Sequence, residues 1–310
     1  MVETDIRVNL ADLELHSPLV LASGVWGCAA ETLIRAAAAG AGAVTSKSCS
    51  VLPRRGHPNP AVLPWQGGLI NAVGLANPGA AEERDILHRA QQSLRPLGVP
   101  LIASIYGGTP EEYARAAGLV AEAAPDIIEV NISCPNVQSE FGYPFALEAS
   151  AAAEVTSAVR SAYRGRLFIK LSPNAPDIVA VAAAVVRAGA DGLTAVNTMG
   201  PGMLIDTHAR CPILSNKAGG ISGTALRPIA LRCVYDISQA VCVPIIGTGG
   251  IDSGEAALQM VMAGASAVGV GSALAGEGAA VFERINRELA ILMRTEGITR
   301  LGEVRGCAHG

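Results

Sequence analysis

The chain has 310 residues, half of them apolar, and its 23 basic and 27 acidic residues give a net charge of −4 at pH 7. This balance excludes a basic nucleic-acid groove and a charged membrane-surface patch as the main functional feature. Mean hydropathy is +0.37, but the apolar residues are spread along the chain, and no run approaches the ~18 uninterrupted apolar residues of a membrane helix.

The predicted elements begin with an N-terminal hairpin. Apolar and polar residues alternate within the first 16 positions around a turn at Ala11-Asp12, and we expect this hairpin to cover one end of the core. Eight short runs rich in Val, Ile and Leu then alternate with Ala-rich segments of helical length. The eight runs are 18–25, 43–48, 100–106, 127–133, 167–172, 192–197, 244–249 and 267–272. The helical segments are 29–38, 80–93, 110–124, 145–163, 176–188, 225–239, 253–263 and 277–295.

This alternation predicts an α/β protein with the fold of a (β/α)₈ TIM barrel, as a single domain over residues 1–310. Strands that are apolar throughout belong to a parallel sheet covered on both faces. An open doubly wound sheet is the alternative. The connections 49–79, 135–146 and 198–224 are too long for plain turns, and each follows a strand. We therefore expect long functional loops at the C-terminal face of the barrel.

The cysteines and histidines give no sign of a metal site. Seven cysteines are scattered and none is spaced as CxxC, which favours a reducing, cytoplasmic setting over a disulfide framework or an iron–sulfur site within this chain. The acidic N-terminus lacks the apolar segment of a signal peptide. His57 and His208 lie in the long loops without metal-ligand spacing, and we predict that both are surface residues.

Reactive and hydrogen-bonding groups cluster where the fourth predicted strand ends. The stretch 131–136 contains a thiol, a hydroxyl and two carboxamides. A free cysteine is most often a small buried hydrophobe, so Cys134 alone leaves both interpretations open. Asn71 and Asn197 fall at other strand ends or in the long loops. A set of carboxamides suits a ring edge with alternating N–H and C=O groups.

Two glycine-rich segments, 247–251 and 269–272, follow the last two strands. In a barrel these loops form the usual phosphate site, because glycine lets backbone N–H groups close on the anion. The segment 221–223 could contribute a third N–H group. Lys47 and Lys170 end two further strands, and a lysine there is costly unless it meets an anion or a polar ligand. The pattern predicts a phosphate-bearing substrate or cofactor beside either an electron-rich ring or a Schiff base.

Together these motifs resemble those of the class 1 dihydroorotate dehydrogenases, flavoproteins of pyrimidine synthesis. The resemblance covers nearly the whole chain, and 131–136 is its most specific part. It implies FMN-dependent oxidation of (S)-dihydroorotate to orotate, with one FMN across the barrel mouth. The segments that carry it are 22–24, 47–48, 71–75, 77–79, 131–136, 170–174, 197–198, 219–223, 247–250 and 271–272.

The resemblance also implies roles for individual residues. Cys134 would be the base that takes the C5 proton of dihydroorotate while hydride passes from C6 to flavin N5. The implied substrate-binding residues are Lys47, Asn71, Ala72, Val73, Gly74, Leu75, Asn131, Asn136, Asn197 and Thr198. The implied FMN-binding residues are Ala22, Ser23, Lys47, Ser48, Ser104, Asn131, Lys170, Val196, Gly223, Gly249, Gly250, Gly271 and Ser272.

Two departures from the family pattern accompany the resemblance. The family usually has Asn at the position of Ser104, and the loop 51–68 lacks a second Pro-Arg and an acidic residue. The sequences of residues 131–134 and 306–309 resemble those of the NAD-linked 1B type. That type pairs with a subunit carrying FAD and a 2Fe–2S cluster, and such a partner would have to bring both groups. A homodimer is also implied, with no nucleic-acid or membrane partner.

Three alternatives to the NAD-linked assignment remain at this point. The nearest is the fumarate-linked 1A type, which needs no partner subunit. The altered 51–68 loop leaves room for a related dihydropyrimidine dehydrogenase, acting for example on dihydrouracil. A Lys-dependent phosphosugar aldolase also needs a barrel, a phosphate site and an interior lysine, but it gives Cys134 and the carboxamides no purpose.

Overall fold

The computed structural model describes residues 4–24, 26–132 and 145–310. Within these residues the strands, in chain order, are β1 (Val8–Leu10), β2 (Leu13–Leu15), β3 (Leu19–Leu21), β4 (Ala43–Thr45), β5 (Val62–Trp65), β6 (Gly68–Asn71), β7 (Leu101–Ile105), β8 (Ile127–Asn131), β9 (Arg166–Lys170), β10 (Gly192–Ala195), β11 (Met199–Gly202), β12 (Ile205–Asp206), β13 (Cys211–Pro212), β14 (Gly219–Ser222), β15 (Ile245–Thr248) and β16 (Ala267–Val270). The α-helices are α1 (Ala30–Ala38), α2 (Ala80–Leu94), α3 (Pro110–Ala121), α4 (Ala149–Ala162), α5 (Ile178–Arg187), α6 (Arg227–Ala240), α7 (Gly254–Met262), α8 (Leu274–Glu277) and α9 (Ala280–Thr295).

Eight of these strands close into a parallel barrel, which confirms the predicted (β/α)₈ fold. Around the barrel the order is β3, β4, β7, β8, β9, β10, β15 and β16, after which β16 pairs again with β3. Each strand overlaps one of the eight apolar runs. The strands are apolar on both faces because one face lines the barrel and the other meets the helices. The last predicted helix is divided in two by Gly278, whose φ of +62° ends α8.

The barrel interior changes character from one end to the other. At the N-terminal end an apolar cluster that includes Ile127 and Phe168 is covered by the β1–β2 hairpin, which contributes Leu10 and Leu15. This position confirms the hairpin as a plug under the core. Toward the C-terminal ends of the strands the buried side chains become polar, among them Ser104, Glu129, Asn131, Lys170 and Thr194. A polar interior at this end requires hydrogen-bond partners or a ligand.

Two of the long connections contribute strands that the sequence did not predict. Strands β5 and β6 come from the connection after β4, and β11 and β14 come from the one after β10. They form one antiparallel sheet in the order β11-β14-β6-β5. Asn71, the last residue of β6, pairs with Gly220. We call this four-stranded sheet the mouth sheet; its residues Val62, Leu69, Asn71 and Ser222 line the cavity described below.

No helix of the described residues is long and apolar enough to cross a membrane.

Candidate active site

A cavity of ≈ 450 Å³ lies at the C-terminal end of the barrel and continues under the mouth sheet. Its volume is in the range of sites for small molecules and cofactors. The sequence-predicted residues that line it are Ala22, Ser23, Lys47, Ser48, Asn71, Val73, Gly74, Leu75, Asn131, Lys170, Val196, Asn197, Thr198, Gly223, Gly249, Gly250, Gly271 and Ser272. The structure thus gathers residues at or just after the ends of seven barrel strands and from two of the long connections.

Two of the predicted site residues do not line this cavity, and two others fall outside the described residues. Ala72 is fully buried in a small apolar cluster beneath the mouth sheet, so its side chain faces away from the cavity. Ser104 is fully buried below the cavity floor because its short side chain bonds to neighbours instead of reaching upward. Cys134 and Asn136 fall outside the described residues. Lining residues that the sequence reasoning missed include Cys28 and Thr248; Thr248 directly precedes a predicted glycine loop.

The floor of the cavity is a chain of buried hydrogen bonds. The Ser48 and Ser104 hydroxyls are 2.8 Å apart, and Ser104 donates to a carboxyl oxygen of Glu129 at 3.1 Å. Thr194 donates to the other oxygen of Glu129 at 2.8 Å. Above them the carboxamide of Asn131 donates to Ser48 at 3.2 Å. These bonds lock the rotamers of the floor, so the cavity presents a fixed polar surface.

Two lysines give the cavity a positive potential. Lys170 is only 4% exposed, and its ammonium makes no hydrogen bond or ion pair with any residue the structure describes. Lys47 also lines the cavity, with its ammonium 3.5 Å from the carbonyl oxygen of Gly24. The buried ammonium of Lys170, with no partner among the described residues, favours a ligand that carries negative charge or an electron-rich oxygen.

One end of the cavity is a cradle of backbone amides. The N–H groups of five residues donate no hydrogen bond to any described acceptor. Gly271 leaves the cradle open on one side because it carries no side chain. A Cβ at Gly271 would have only the Ala22 methyl within 4 Å, at 3.6 Å, so the space beside it is free. Converging amides of this kind bind phosphate. The five residues are Gly223, Gly249, Gly250, Gly271 and Ser272.

The segment 73–75 presents a second group of amides to the cavity. Gly74 and Leu75 have φ of +71° and +58°, a backbone conformation in which neighbouring N–H groups can converge on an anion. Within the described residues the N–H groups of Val73, Gly74 and Leu75 donate no hydrogen bond. All three residues line the cavity, so this segment is an amide-lined subsite, which we call the amide segment.

The carbonyl groups of the same stretch are all bonded on the outer side. Arg54 Nε donates to the Gly74 carbonyl at 2.8 Å, and the Tyr106 hydroxyl donates to the Leu75 carbonyl at 3.2 Å. The ring of His57 lies 3.0 Å from the carbonyl oxygen of Ala72. With the carbonyls held away, the amide segment is left to interact with a ligand through its donors.

The comparisons with known proteins agree with this geometry. The family model described as dihydroorotate dehydrogenase matches residues 5–293. The chain belongs to the dihydroorotate dehydrogenase family. It is 43% identical over 304 residues to the dihydroorotate dehydrogenase B (NAD(+)) catalytic subunit of Methanothermobacter thermautotrophicus, covering 98% of each chain. The proteins with the same description from Methanocaldococcus jannaschii and Pelobacter propionicus are 42% and 44% identical, covering 100% and 88% of each chain.

The dihydroorotate dehydrogenase family is flavin-dependent, and the cavity fits a flavin nucleotide. The amide cradle offers donors of the type that a terminal phosphate needs, and Gly271 leaves space beside it. Lys170 supplies the positive charge that an electron-rich ring requires near its polar edge. Bound FMN would be held by the cradle, by Lys170 and by the floor residue Ser48.

Outside the cavity, one fully buried carboxyl is out of the ordinary. Glu83 on α2 has no exposed surface, and neither of its oxygens has a hydrogen-bond partner among the described residues. Desolvation raises the pKa of Glu83 from 4.5 to about 7, while the nearby Ser46 hydroxyl acts in the opposite direction without completing a well-formed bond. Burial raises the pKa of the Cys49 thiol, and the nearby Glu83 carboxyl raises it further.

The Glu83 carboxyl makes the free energy of unfolding of this protein depend on pH. Because the folded-state pKa of Glu83 exceeds the unfolded value of 4.5, stability falls as the pH rises from about 4.5 to above 7. We expect Glu83→Gln to raise the free energy of unfolding, relative to the parent, by about 2–3 kcal/mol more at about pH 8.5 than at about pH 5. Denaturant titrations at both pH values would measure this, with Glu31→Gln at an exposed position of α1 as control; an equal change at both pH values would contradict it.

Proposed function

We propose that this protein oxidises (S)-dihydroorotate to orotate for pyrimidine biosynthesis, with FMN as its resident cofactor. The observation that carries the proposal is the amide segment, whose N–H groups donate to no described acceptor and which lines the same cavity as the interior lysines. Dihydroorotate differs from simpler dihydropyrimidines by its carboxylate, and an amide-lined subsite is suited to that group. The chain's similarity to catalytic subunits of dihydroorotate dehydrogenase B supports the same substrate.

The carboxamides supply the remaining contacts to a pyrimidine ring. Asn131 and Asn197 are linked by a hydrogen bond of 3.2 Å, and Asn71 is bonded to Gly220 at 3.3 Å. Each carboxamide both donates and accepts, which suits the alternating N–H and C=O groups of the ring. Held in this way, the ring cannot rotate, so its C5 and C6 keep one orientation relative to the cavity floor.

We assign the role of base to Cys134 on the strength of the sequence motif. It would take the C5 proton, and the bound flavin would supply the two-electron acceptor for the hydride from C6. A thiol is a weak base near its usual pKa of roughly 8.5, so its surroundings must favour the thiolate. Lys47, beside the substrate position, would favour negative charge in that region.

We further propose that the electrons leave through a partner subunit toward NAD. The relatives named above are described as catalytic subunits of an NAD(+) enzyme. The six cysteines that the structure describes are all free, and no group of three metal-binding side chains occurs among the described residues. FAD and a 2Fe–2S cluster would therefore belong to that partner, and the proposed assembly contains two copies of this chain.

We expect the amide segment to discriminate strongly between two substrates that differ in a carboxylate. Under anaerobic conditions we expect dihydroorotate to bleach the flavin, and we expect dihydrouracil, which lacks the carboxylate, to do so at least about 100-fold more slowly in kcat/KM. The reason is that dihydrouracil leaves the amide segment without its anion, and unpaired buried donors are costly. Stopped-flow absorbance of the flavin band measures both rates.

Reoxidation of the bleached enzyme identifies the acceptor. We expect no rapid reoxidation by NAD or by fumarate alone, and reoxidation by NAD once the FAD/iron–sulfur subunit is added. Rapid reoxidation by fumarate would instead assign the chain to the fumarate-linked type. Equal bleaching by the two pyrimidines would show that the amide segment does not bind a carboxylate.

A further inference from the structure

His57 lies in the connection between β4 and β5 and is half-buried, whereas the sequence predicted a surface residue. Its ring Nδ1 is 3.0 Å from the carbonyl oxygen of Ala72, and its backbone N–H donates to the carbonyl of Val73 at 3.0 Å. Since a carbonyl oxygen only accepts, Nδ1 carries the proton and donates it. One residue therefore holds two consecutive carbonyls of the stretch that precedes and begins the amide segment.

The ring of His57 also occupies the place where a side chain of residue 74 would lie. A Cβ added to Gly74 would be 2.8 Å from Cγ of His57 and 2.8 Å from its backbone nitrogen. Gly74 has φ of +71°, which a residue with a side chain rarely adopts. The glycine and the histidine thus fit each other, and the ring supports the turn of the amide segment from below.

The neighbouring backbone keeps His57 itself in place. Gly56 approaches Val73 so closely that a Cβ there would be 2.3 Å from the Val73 carbonyl oxygen. Arg54 and Asn77 exchange two backbone hydrogen bonds of 2.9 Å. The segment 54–57 is therefore paired along 73–77, and His57 is held at the point where the amide segment turns toward the cavity.

We propose that His57 is a positioning residue for the anion subsite, which it creates by holding the carbonyls of Ala72 and Val73 away from the cavity. The inference rests on the proposed function, because dihydroorotate is taken as the ligand whose carboxylate meets the amide segment. His57 contacts neither the reacting carbons nor the flavin position, since it is not among the residues that line the cavity. It acts on affinity for carboxylate ligands and leaves the hydride step unchanged.

The physical reason is preorganisation. Without the His57 side chain, the amide segment samples conformations in which a carbonyl turns toward the cavity. The ligand must then restore the productive conformation on binding. The apparent affinity equals the intrinsic affinity multiplied by the fraction of molecules that are already in the competent state, so it falls as that fraction falls. Once the ligand is bound, the segment has the same conformation as in the parent protein, so the maximal rate is kept.

The variants His57→Ala, His57→Asn and His57→Gln separate these effects. The Asn amide nitrogen reaches about the position of Nδ1 and can donate to the Ala72 carbonyl, whereas the longer Gln places its nitrogen nearer to Nε2. For His57→Ala and His57→Gln we expect Kd for orotate and KM for dihydroorotate to rise about tenfold, with kcat within about twofold of the parent. Asn at this position restores most of the affinity.

Kd for orotate and for uracil is measured through the shift of the flavin absorbance, and kcat and KM by anaerobic turnover with dihydroorotate. Uracil has no carboxylate, so its Kd is expected to change less than twofold in every variant. The control is His208→Ala, because His208 is an exposed histidine in the other long connection. Flavin content and thermal unfolding confirm that each variant is folded.

Equal losses for orotate and uracil, a loss confined to kcat, or failure of Asn to restore affinity in a folded variant would each overturn the role of His57. The proposed function fails in a different way. If the parent protein binds orotate but dihydroorotate does not bleach it, the substrate assignment is wrong, and the Kd values for orotate still decide whether His57 braces the subsite.

Discussion

Replacing Cys134 by alanine is expected to leave FMN bound and to slow the reduction of the flavin by dihydroorotate about 10²- to 10⁴-fold, the usual contribution of a general base. Apart from Cys28, the cavity holds carboxamides and lysines, and neither can replace a thiolate as a base: carboxamides have no useful basicity and a lysine cation has no free electron pair. Anaerobic stopped-flow measurement of flavin bleaching gives the rate, and the absorbance spectrum of the purified protein gives the flavin content.

The chain offers a matched control for this experiment. Cys28 is an exposed thiol that lines the same cavity and follows β3 in the chain. We expect Cys28→Ala to reduce the flavin at a rate within about threefold of the parent, because that thiol has no part in proton transfer. Near-normal bleaching by Cys134→Ala, or an equal loss in both variants, would remove Cys134 from the role of base.

Replacing Gly271 by valine is expected to give a folded, colourless protein. Only the Ala22 methyl lies within 4 Å of a Cβ at this position, so the protein itself accommodates the side chain, which then fills the space of the phosphate. Loss of two charge-assisted hydrogen bonds at about 1.5–3 kcal/mol each predicts a Kd for FMN at least about 100-fold higher. Fluorescence titration of the apoprotein with FMN measures this Kd.

A nearby glycine provides the comparison. Gly276 lies on α8, exposed, and a Cβ there would meet nothing within 4 Å. We expect Gly276→Ala to bind FMN as the parent does. Normal flavin content in Gly271→Val would place the phosphate elsewhere. A Gly271→Val apoprotein that unfolds at a lower temperature than the parent apoprotein would point to damage to the fold.

The barrel was predictable because its signals are local. Each barrel strand is a short apolar run, such as Leu101–Ile105, followed by a segment of helical length. Glycine at helix ends and at strand ends marked the boundaries and the phosphate cradle. The chemistry of the cavity was also visible, because lysines and asparagines at the ends of apolar strands have few purposes other than binding.

The mouth sheet was not predictable, because its pairing is long-range and its composition is that of loops. Strand β5 contains Pro64, and β14 begins with Gly219 and Gly220, residues that normally indicate turns. The role of His57 was hidden for the same reason, since its partners lie just beyond β6. A lone histidine between prolines and glycines gives no periodic pattern from which burial could be inferred.

Ser104 and Glu83 show a different limit. The resemblance implies a flavin contact at Ser104, where the family usually has the longer Asn, and the Ser104 hydroxyl joins Ser48 to Glu129 beneath the cavity. Glu83 falls in an acidic first turn of α2, which looks like an ordinary exposed helix start. Which of Glu82 and Glu83 is buried depends on how the helix is rotated against the barrel, and two adjacent glutamates do not reveal that.

The pairing of β6 with β14 also determines when the mouth sheet can be completed during synthesis. Asn71 and its partner Gly220 are separated by 149 positions. A nascent chain that has already formed the first barrel strands still lacks the partner of β6 until residue 222 has left the ribosome. The mouth sheet can therefore become ordered only after most of the contacts that are local in sequence within the first half of the chain.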